Sequence, residues 1–371
     1  MRPLPWRANI PDPDLVMHTL AFTSLSLLAT LTWASSTAAQ EERRAVPGNA
    51  VAIYNLVGRV TVEAGTGSDV VVLVDRAGKD SRRLSLEVGE VRGRNALRVV
   101  YPEDAIVYRD APTSKWGSWN STFSVNSDGT WGGDRSWSRS RRVKISSSGS
   151  GLEAWANLRI QVPTGKRIDV LLGVGELTAR NVSGDIRLEA SSARIIASGM
   201  RGTLAIEDGS GGIELRDANV DELRLDTGSG GLDVRDVIAK RCKLDTGSGG
   251  VTGEALACDE IAVDVGSGSV RLDGVSASRA KIESGSGGVQ FHMRTSPRDL
   301  SVESGSGGVT ISLPAIANAE VDVETGSGSI ESDFPVQMRR IERHHLRGTI
   351  GDGSGRIRIH TGSGSVHLRK N

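Results

Sequence analysis

The residues that could do chemistry in this sequence are acids that each precede a short glycine-rich phrase. They follow one another at 19, 19, 19, 19, 20 and 21 residues: Glu207, Asp226, Asp245, Asp264, Glu283, Glu303 and Glu324. Stacked repeats would place these carboxylates about 5 Å apart, where they repel one another. Either a cation such as calcium or neighbouring basic side chains must therefore balance them.

Calcium-binding β-rolls use the pattern GGxGxD. Here an apolar residue follows GSGG, as in Gly231-Leu232, and basic residues such as Arg224 and Lys243 lie beside the acids. The sequence therefore favours a solvated charge ladder. We predict no resident cofactor or metal, with calcium as the alternative.

Other side chains that carry catalysis in enzymes stand in unfavourable patterns. His344 and His345 are adjacent, so on a strand they would point to opposite sides and suit one metal ion poorly. The serines lie within turns and lack a nucleophile elbow. The GSGG phrase lacks the Lys-Ser/Thr tail and the following helix of a phosphate-binding loop. The sequence therefore predicts a protein that is not an enzyme, with no catalytic, cofactor-binding or metal-binding residues.

Aromatic side chains concentrate in one Trp/Ser/Gly-rich segment, residues 108–151. It holds four of the seven tryptophans of the chain: Trp116, Trp119, Trp131 and Trp137. Tryptophans exposed on an insertion loop are typical contacts for a glycan or a protein surface. The alternative is an insertion loop whose tryptophans pack back on the flank of the fold. We take these four residues as the candidate ligand contacts.

The repeat itself indicates which elements position these residues. Apolar and polar residues alternate on both sides of each phrase, as in LRLDTGSGGLDVRDV from Leu223, which is the period of a strand. A period of about 19–21 residues predicts an all-β fold, a β-solenoid (parallel β-helix-like) with one repeat per coil. Glycine would supply positive φ in the turn and leave room for the turn stacked above it. An antiparallel β-meander with GSGG hairpin loops is the alternative.

The regions outside the array differ in composition. The apolar stretch 20–33, followed by small residues, predicts a signal peptide over residues 1–39, with Met17 as an alternative start. Residues 40–107 are predicted to form a β-rich amino-terminal cap and early coils. Residues 152–371 are predicted to form the GSGG-repeat solenoid with its closing repeats, since solenoids need capped ends.

Charge and cysteine content limit the partners and the compartment. The 45 Lys and Arg residues balance 45 Asp and Glu residues, which gives no electrostatic basis for a nucleic-acid partner. The repeat places Cys242 and Cys258 on neighbouring coils. An exported protein permits a disulfide between them, and two unlinked small side chains are the alternative.

The repeats resemble a known group of proteins. TGSGG and ESGSGG turns between short alternating strands are similar to the bacterial β-strand-repeat family called "putative adhesins", domain of unknown function 4097. The segment RGTIGDGSGRIRIHTGSGSVHL from Arg347 is especially similar, and the resemblance spans about residues 46–368. It implies an exported or surface-associated β-solenoid-like domain with an adhesion or envelope role and without established catalytic residues.

We therefore expect an exported, non-enzymatic envelope or surface protein of a bacterium, located in the periplasm or at the cell surface. It would act as an adhesin or scaffold that binds an envelope polymer or a protein partner. We expect no nucleic-acid partner and no transmembrane span after signal removal. The alternatives are a glycan-processing enzyme built on a β-helix and an envelope-stress sensing component.

Overall fold

The repeats stack into a long, mostly parallel β-structure in the computed structural model of the protein. The structure describes residues 41–110, 119–132, 140–342 and 344–371. The predicted signal peptide and its alternative start lie outside these residues. No helix in the described part of the chain is long and apolar enough to cross a bilayer.

The described part of the amino-terminal region consists of the long strand β2, eight shorter strands and a 3₁₀ turn at Ser81–Arg83. These strands are β1 (Glu42–Val46), β2 (Ala50–Gly65), β3 (Val70–Ala77), β4 (Ser85–Val91), β5 (Arg94–Val100), β6 (Ala105–Val107), β7 (Asn120–Asn126), β8 (Ser140–Ser146) and β9 (Trp155–Pro163). Longer strands follow: β10 (Lys166–Arg180), β11 (Ser183–Asp208), β12 (Ile213–Thr227), β13 (Leu232–Thr246), β14 (Val251–Val265) and β15 (Val270–Ser284). The carboxyl-terminal region returns to short strands: β16 (Val289–Met293), β17 (Asp299–Ser304), β18 (Val309–Leu313), β19 (Ala319–Thr325), β20 (Ile330–Ser332), β21 (Gln337–Glu342), β22 (His345–Ile350), β23 (Gly355–Thr361) and β24 (Val366–Lys370).

Strands β12 to β15 stack in parallel, with each repeat on the next. Ile213 lies beside Leu232, Leu232 beside Val251, and Val251 beside Val270, a constant offset of 19 residues. Each coil is therefore one repeat. This register confirms the β-solenoid, and the antiparallel meander is wrong for this part of the chain. We call residues 213–284 the regular coils.

Alternate residues of each coil point inward and form apolar ladders. Leu225, Leu244, Val263 and Ile282 make one ladder, and each of them is at most 2% exposed. Burying an aliphatic side chain of this size stabilises a fold by about 1.5–3 kcal/mol. Because the same position is apolar on successive coils, the ladder holds the stack together along its length.

The glycines of the GSGG turns are required by close stacking and not by backbone conformation. In the regular coils, none of the glycines of these turns has positive φ, so the first predicted reason for glycine is wrong there. The second is confirmed. A Cβ at Gly230 would lie 1.6 Å from the carbonyl oxygen of Gly211, and a Cβ at Gly249 would lie 1.8 Å from that of Gly230.

A hydroxyl side chain at the start of the turn ties neighbouring coils together. Thr246 Oγ1 accepts a hydrogen bond from the N–H of Gly249 at 3.1 Å. It donates one to the carbonyl oxygen of Gly230 on the preceding coil at 3.0 Å. The same pair of bonds is made by Thr227, Thr325 and Thr361.

Positive φ occurs at the other corner of the coil, which we call the outer corner. One residue per coil has a φ between 52° and 67°: Asn181, Gly199, Asp217, Asp236, Ala255 and Gly274. Glycine, asparagine and aspartate tolerate the left-handed conformation better than other residues do. Ala255, at φ 56°, is therefore the strained member of this series.

The carboxyl-terminal coils, residues 299–370, do not stack in sequence order, and we call them the closing coils. Strand β23 pairs in parallel with β17 on one edge and with β19 on the other. Strand β24 likewise pairs with β18 and with β20. Residues 355–370 are therefore inserted between the two coils that precede them in the sequence.

A hairpin covers the end of the closing coils. Strand β22 pairs antiparallel with β19, and β21 pairs antiparallel with β22. The first four residues of the phrase GDGSGR from Gly351 form the connection between β22 and β23, so the phrase is not a stacked coil turn. The hairpin protects a strand edge that would otherwise be open to pairing with other chains.

The amino-terminal strands extend the stack in the other direction. Strand β2 pairs in parallel with β10 on one edge and with β5 and β9 on the other. Antiparallel pairs then add β4 beside β5, β3 beside β9 and β1 beside β3. The first coil is thus covered by a mixed layer of short strands.

The segment 108–151 contains strands where the sequence predicts a loop. Strand β8 pairs antiparallel with β7 and in parallel with β6, and the three form a separate small sheet. Phe123, Val125, Val143 and Ile145 are buried. Strands β7 and β8 each have only two buried apolar residues among polar ones, so the alternation typical of a strand is difficult to recognise in their sequence.

Candidate functional site: a charged lateral face

The acids before the turns form a column, as their spacing predicts. Strand register places them side by side along one lateral face in the order Glu207, Asp226, Asp245, Asp264, Glu283, Glu303, His360 and Glu324. The inserted coil contributes the histidine, whose Nδ1 lies 3.8 Å from a carboxylate oxygen of Glu324. We call this set the acidic column.

A second outward-facing position lies two residues before each acid. Its members are Ala205, Arg224, Lys243, Ala262, Lys281, Ser301, Arg358 and Asp322, which we call the middle column. Arg224 pairs with Asp226 at 2.9 Å, and Lys281 pairs with Glu283 at 2.9 Å. A basic residue of the middle column therefore balances the acid of its own coil.

Charge alternates in a third column, two residues earlier again. This alternating column is Glu222, Arg241, Glu260, Arg279, Asp299, Arg356 and Glu320. Arg241 forms an ion pair with Glu222 on the preceding coil, and Arg279 forms one with Glu260. Opposite charges directly across a strand pair are favourable, whereas like charges are not. The three columns together make up the charged face.

A groove of about 730 Å³ runs across the coils between the alternating and middle columns. Short side chains at Ala205, Ala262 and Ser301 leave space between the long basic side chains. The charged residues that line it are largely exposed, so the groove can receive an extended molecule laid along the solenoid.

The four predicted tryptophan contacts have different outcomes. Trp116 and Trp137 lie outside the described residues. Trp131 is 5% exposed, and its ring meets Phe123 edge to face with the centroids 6.0 Å apart. Trp119 is partly buried against the core. Trp131 is thus a packing residue, which agrees with the alternative in which the tryptophans pack back on the fold.

The insertion lies against the amino-terminal end of the charged face. A Cβ at Gly132 would lie 2.8 Å from Glu189 Oε1 and 3.2 Å from Leu171 Cδ2, which shows how closely the two segments approach. Glu189 precedes Glu207 along the face, and Arg187 forms ion pairs with both carboxylates. Burial raises the pKa of Glu189, and Arg187 opposes that shift.

Asp208 is a buried acid that the sequence reasoning missed. It lies beside Thr227 in the position that the hydroxyl occupies in other turns. It is 5% exposed, and neither carboxylate oxygen makes a hydrogen bond of normal geometry. Burial raises the pKa of Asp208 to about 6, although nearby backbone N–H groups, such as that of Ala193, act in the opposite direction. The signal was available, because EDGSGG departs from DTGSGG at this one inward position.

The adjacent histidines point to different partners, as expected. His345 Nε2 lies 2.7 Å from Asp322 Oδ1, and His344 Nδ1 lies 3.1 Å from the carbonyl oxygen of Gly328. In the part of the chain that the structure describes, no three His, Cys, Asp or Glu side chains are placed to hold a metal ion.

The two cysteines form a disulfide in the regular coils. Cys242 and Cys258 lie on neighbouring coils with their Cα atoms 6.3 Å apart. Both are buried. The sequence left this pairing open, and the structure places the bond inside the solenoid, next to the apolar ladders.

Comparison with known proteins identifies the family of the repeat region. The family model described as Toastrack DUF4097 matches residues 153–369, which include the charged face. The chain belongs to this family. No curated protein matches this Toastrack chain. A crystal structure of a "putative cell adhesion protein" from Clostridium sporogenes ATCC 15579 is similar over 90% of this chain and 99% of that chain, with 10% sequence identity and a TM-score of 0.19.

Proposed function

We propose that this Toastrack chain is an exported, non-enzymatic scaffold or adhesin-like protein of the bacterial envelope that binds a polymer or a protein. The observation that carries the proposal is the charged face. Its columns repeat from coil to coil through the regular coils and the closing coils, and a groove lies between two of them. A repeating surface of this kind suits an extended partner that makes the same contact on many coils.

The acids of this face are better suited to binding than to acid–base catalysis. Catalytic carboxylates need environments that separate their pKa values. Asp226, Asp245 and Glu283 instead occupy equivalent positions, and each has a basic partner two residues earlier in its own coil. Equivalent paired acids provide a charged surface without a distinct proton donor and acceptor.

Two observations support export. The apolar stretch and small residues near the amino terminus have the composition of a signal peptide. The buried disulfide is of the kind that persists in oxidising compartments such as the periplasm or the cell surface. Both are consistent with a role in the envelope.

Co-sedimentation of the purified protein with isolated bacterial envelope fractions tests the proposal. We expect saturable binding that falls when Arg279→Glu and Lys281→Glu are combined on the charged face. The matched control is Arg271→Glu, because Arg271 is exposed on the strand segment after a GSGS turn, outside this face. No binding by the wild-type protein to any fraction would contradict the proposal.

The candidate tryptophan contacts should be tested by substitution and not by deletion of the insertion. Removing the insertion would also remove β8, whose Val143 and Ile145 are fully buried. Trp116→Ala combined with Trp137→Ala tests whether these residues contribute to binding, with thermal unfolding as the check on folding. Shortening of the bound polymer during the incubation would favour the glycan-processing alternative.

A further inference from the structure

Basic residues of the charged face occur in pairs on every second coil. A coil with two cations, one in the alternating column and one in the middle column, occurs three times: Arg241 with Lys243, Arg279 with Lys281, and Arg356 with Arg358. The third pair belongs to the inserted coil. Only the third pair therefore depends on residues 355–370 stacking beside β17.

The coils between these dibasic coils have the opposite character. They carry an acid in the alternating column and a short uncharged residue in the middle column: Glu260 with Ala262, and Asp299 with Ser301. Since neighbouring strands lie about 4.8 Å apart, the dibasic coils recur at about 10 Å along the solenoid. Arg224 adds one more cation at the amino-terminal end of the row.

The groove has an excess of positive charge although the whole chain is balanced. Six basic and three acidic side chains line it. The acidic column lies along one side of the middle column and repels an anion that shifts toward the turns. An anionic chain is therefore favoured in the groove and confined to it.

We propose that the groove binds an acidic linear glycan that carries a carboxylate on every second sugar, laid parallel to the solenoid axis. This inference rests on the proposed function and names the ligand class of the same face. Each carboxylate meets one dibasic coil, where the guanidinium of Arg279, for example, can donate two parallel hydrogen bonds to it. The uncharged sugars between them lie over Ala262 and Ser301, where the side chains are short.

The ion pairs within the protein do not prevent a ligand carboxylate from binding these basic side chains. The side chains of Arg241, Lys243, Arg279 and Lys281 are 50–61% exposed, and exposed ion pairs contribute little net stability. A ligand carboxylate can therefore replace a partner from the protein. Because the contacts are charged and exposed, binding weakens as salt concentration rises.

Binding of purified polysaccharides to the full protein tests the spacing. Hyaluronan carries a carboxylate on every second sugar, polygalacturonate carries one on every sugar, and dextran carries none. We expect hyaluronan to bind more tightly than polygalacturonate despite its lower charge density, and dextran not to bind. Affinity that follows charge density alone would overturn the proposal.

Two variants separate spacing from charge. Arg279→Ala with Lys281→Ala removes the central dibasic coil and should weaken hyaluronan binding by about tenfold, whereas Arg271→Ala should leave it unchanged. Ala262→Lys with Ser301→Lys places a cation on each intervening coil and should shift the preference toward polygalacturonate. Unchanged affinity in the first variant or unchanged preference in the second would overturn the inference. Envelope binding that persists without any glycan binding would overturn it while leaving the proposed function intact.

Discussion

The regular coils and the closing coils use the same local structure but join their coils in different orders. In the regular coils, each coil pairs with the one that follows it in the sequence, 19 residues away. In the closing coils, Thr361 reaches the carbonyl oxygen of Gly307 across 54 residues. Identical turns and ladders make the coils interchangeable as neighbours. Their order along the solenoid must therefore be set by the connections and by the covering hairpin.

Reduction of the disulfide should destabilise the regular coils more than the closing coils. It should lower the free energy of unfolding by about 3 kcal/mol, because the bond closes a short loop of the unfolded chain. The bond joins Cys242 and Cys258, both in the regular coils. Hydrogen exchange should show lost protection around residues 232–265 before residues 299–370. Denaturant unfolding with and without reductant gives the magnitude.

The variant Cys242→Ala with Cys258→Ala is the control for this prediction, since reductant should no longer change its stability. Equal loss of protection in both regions would show that the solenoid unfolds as one cooperative unit, contrary to the nearest-neighbour behaviour of repeat proteins.

Asp208→Thr should restore the regular turn chemistry and raise the free energy of unfolding at pH 7 by about 2 kcal/mol. In the folded protein, burial raises the pKa of Asp208 from 3.8 to about 6. Between these values the folded state keeps the proton while the unfolded state has lost it, so wild-type stability falls as pH rises from about 4 to 6. Unfolding curves across this range should show that the fall is reduced in the variant. A pH dependence in Asp208→Thr identical to that of the wild-type protein would refute the assignment.

Thr361→Val and Thr246→Val compare the same hydrogen bonds in the two regions. Each change removes a bond to a glycine N–H and a bond to a glycine carbonyl oxygen, and should cost about 1.5 kcal/mol. Val265 occupies the equivalent position in a regular coil, which shows that valine fits there. Equal losses in chemical denaturation support an inserted coil that is as well packed as a regular one. If Thr361→Val left the free energy of unfolding unchanged, the inserted coil would be locally unfolded at this turn.

The outer corner should give the smallest effect. Ala255→Gly should stabilise the protein by about 0.5 kcal/mol, because relief of the left-handed strain is partly offset by the greater freedom of glycine in the unfolded chain. The reverse change, Gly274→Ala, should destabilise the protein, since Gly274 has a φ of 67°, which is unfavourable for alanine. Thermal unfolding of both variants checks the opposite signs.

The regular coils could be predicted from the sequence because all their determinants are local. Alternation, the constant period and the glycine turn are visible in any one repeat, and the acidic column follows from them. The reason for glycine was only half right. The predicted room for a stacked turn is confirmed at Gly230, which the carbonyl oxygen of Gly211 approaches, whereas the predicted positive φ is not found there.

The closing coils and the groove could not be predicted in the same way. The phrases at Glu303, Glu324 and His360 are nearly equivalent, so the sequence does not show which coil lies between the others. The third dibasic coil depends on that choice, since Arg356 and Arg358 join the row only through the insertion. For Trp131 the sequence left burial and ligand contact as two alternatives, and the choice depends on its partner Phe123, which lies on a strand that the sequence did not predict.

The inserted coil also gives the protein an order of assembly in time. During synthesis from the amino terminus, each regular coil emerges next to a neighbour that is already present. Residues 319–332 emerge before residues 355–370, with which they pair. Until that later segment arrives, β17 and β18 keep an open edge that can pair with other chains. A ribosome-bound chain stopped after residue 354 should therefore be cleaved readily by protease within residues 319–332. Resistance to cleavage there would show that this coil stacks before residues 355–370 are made.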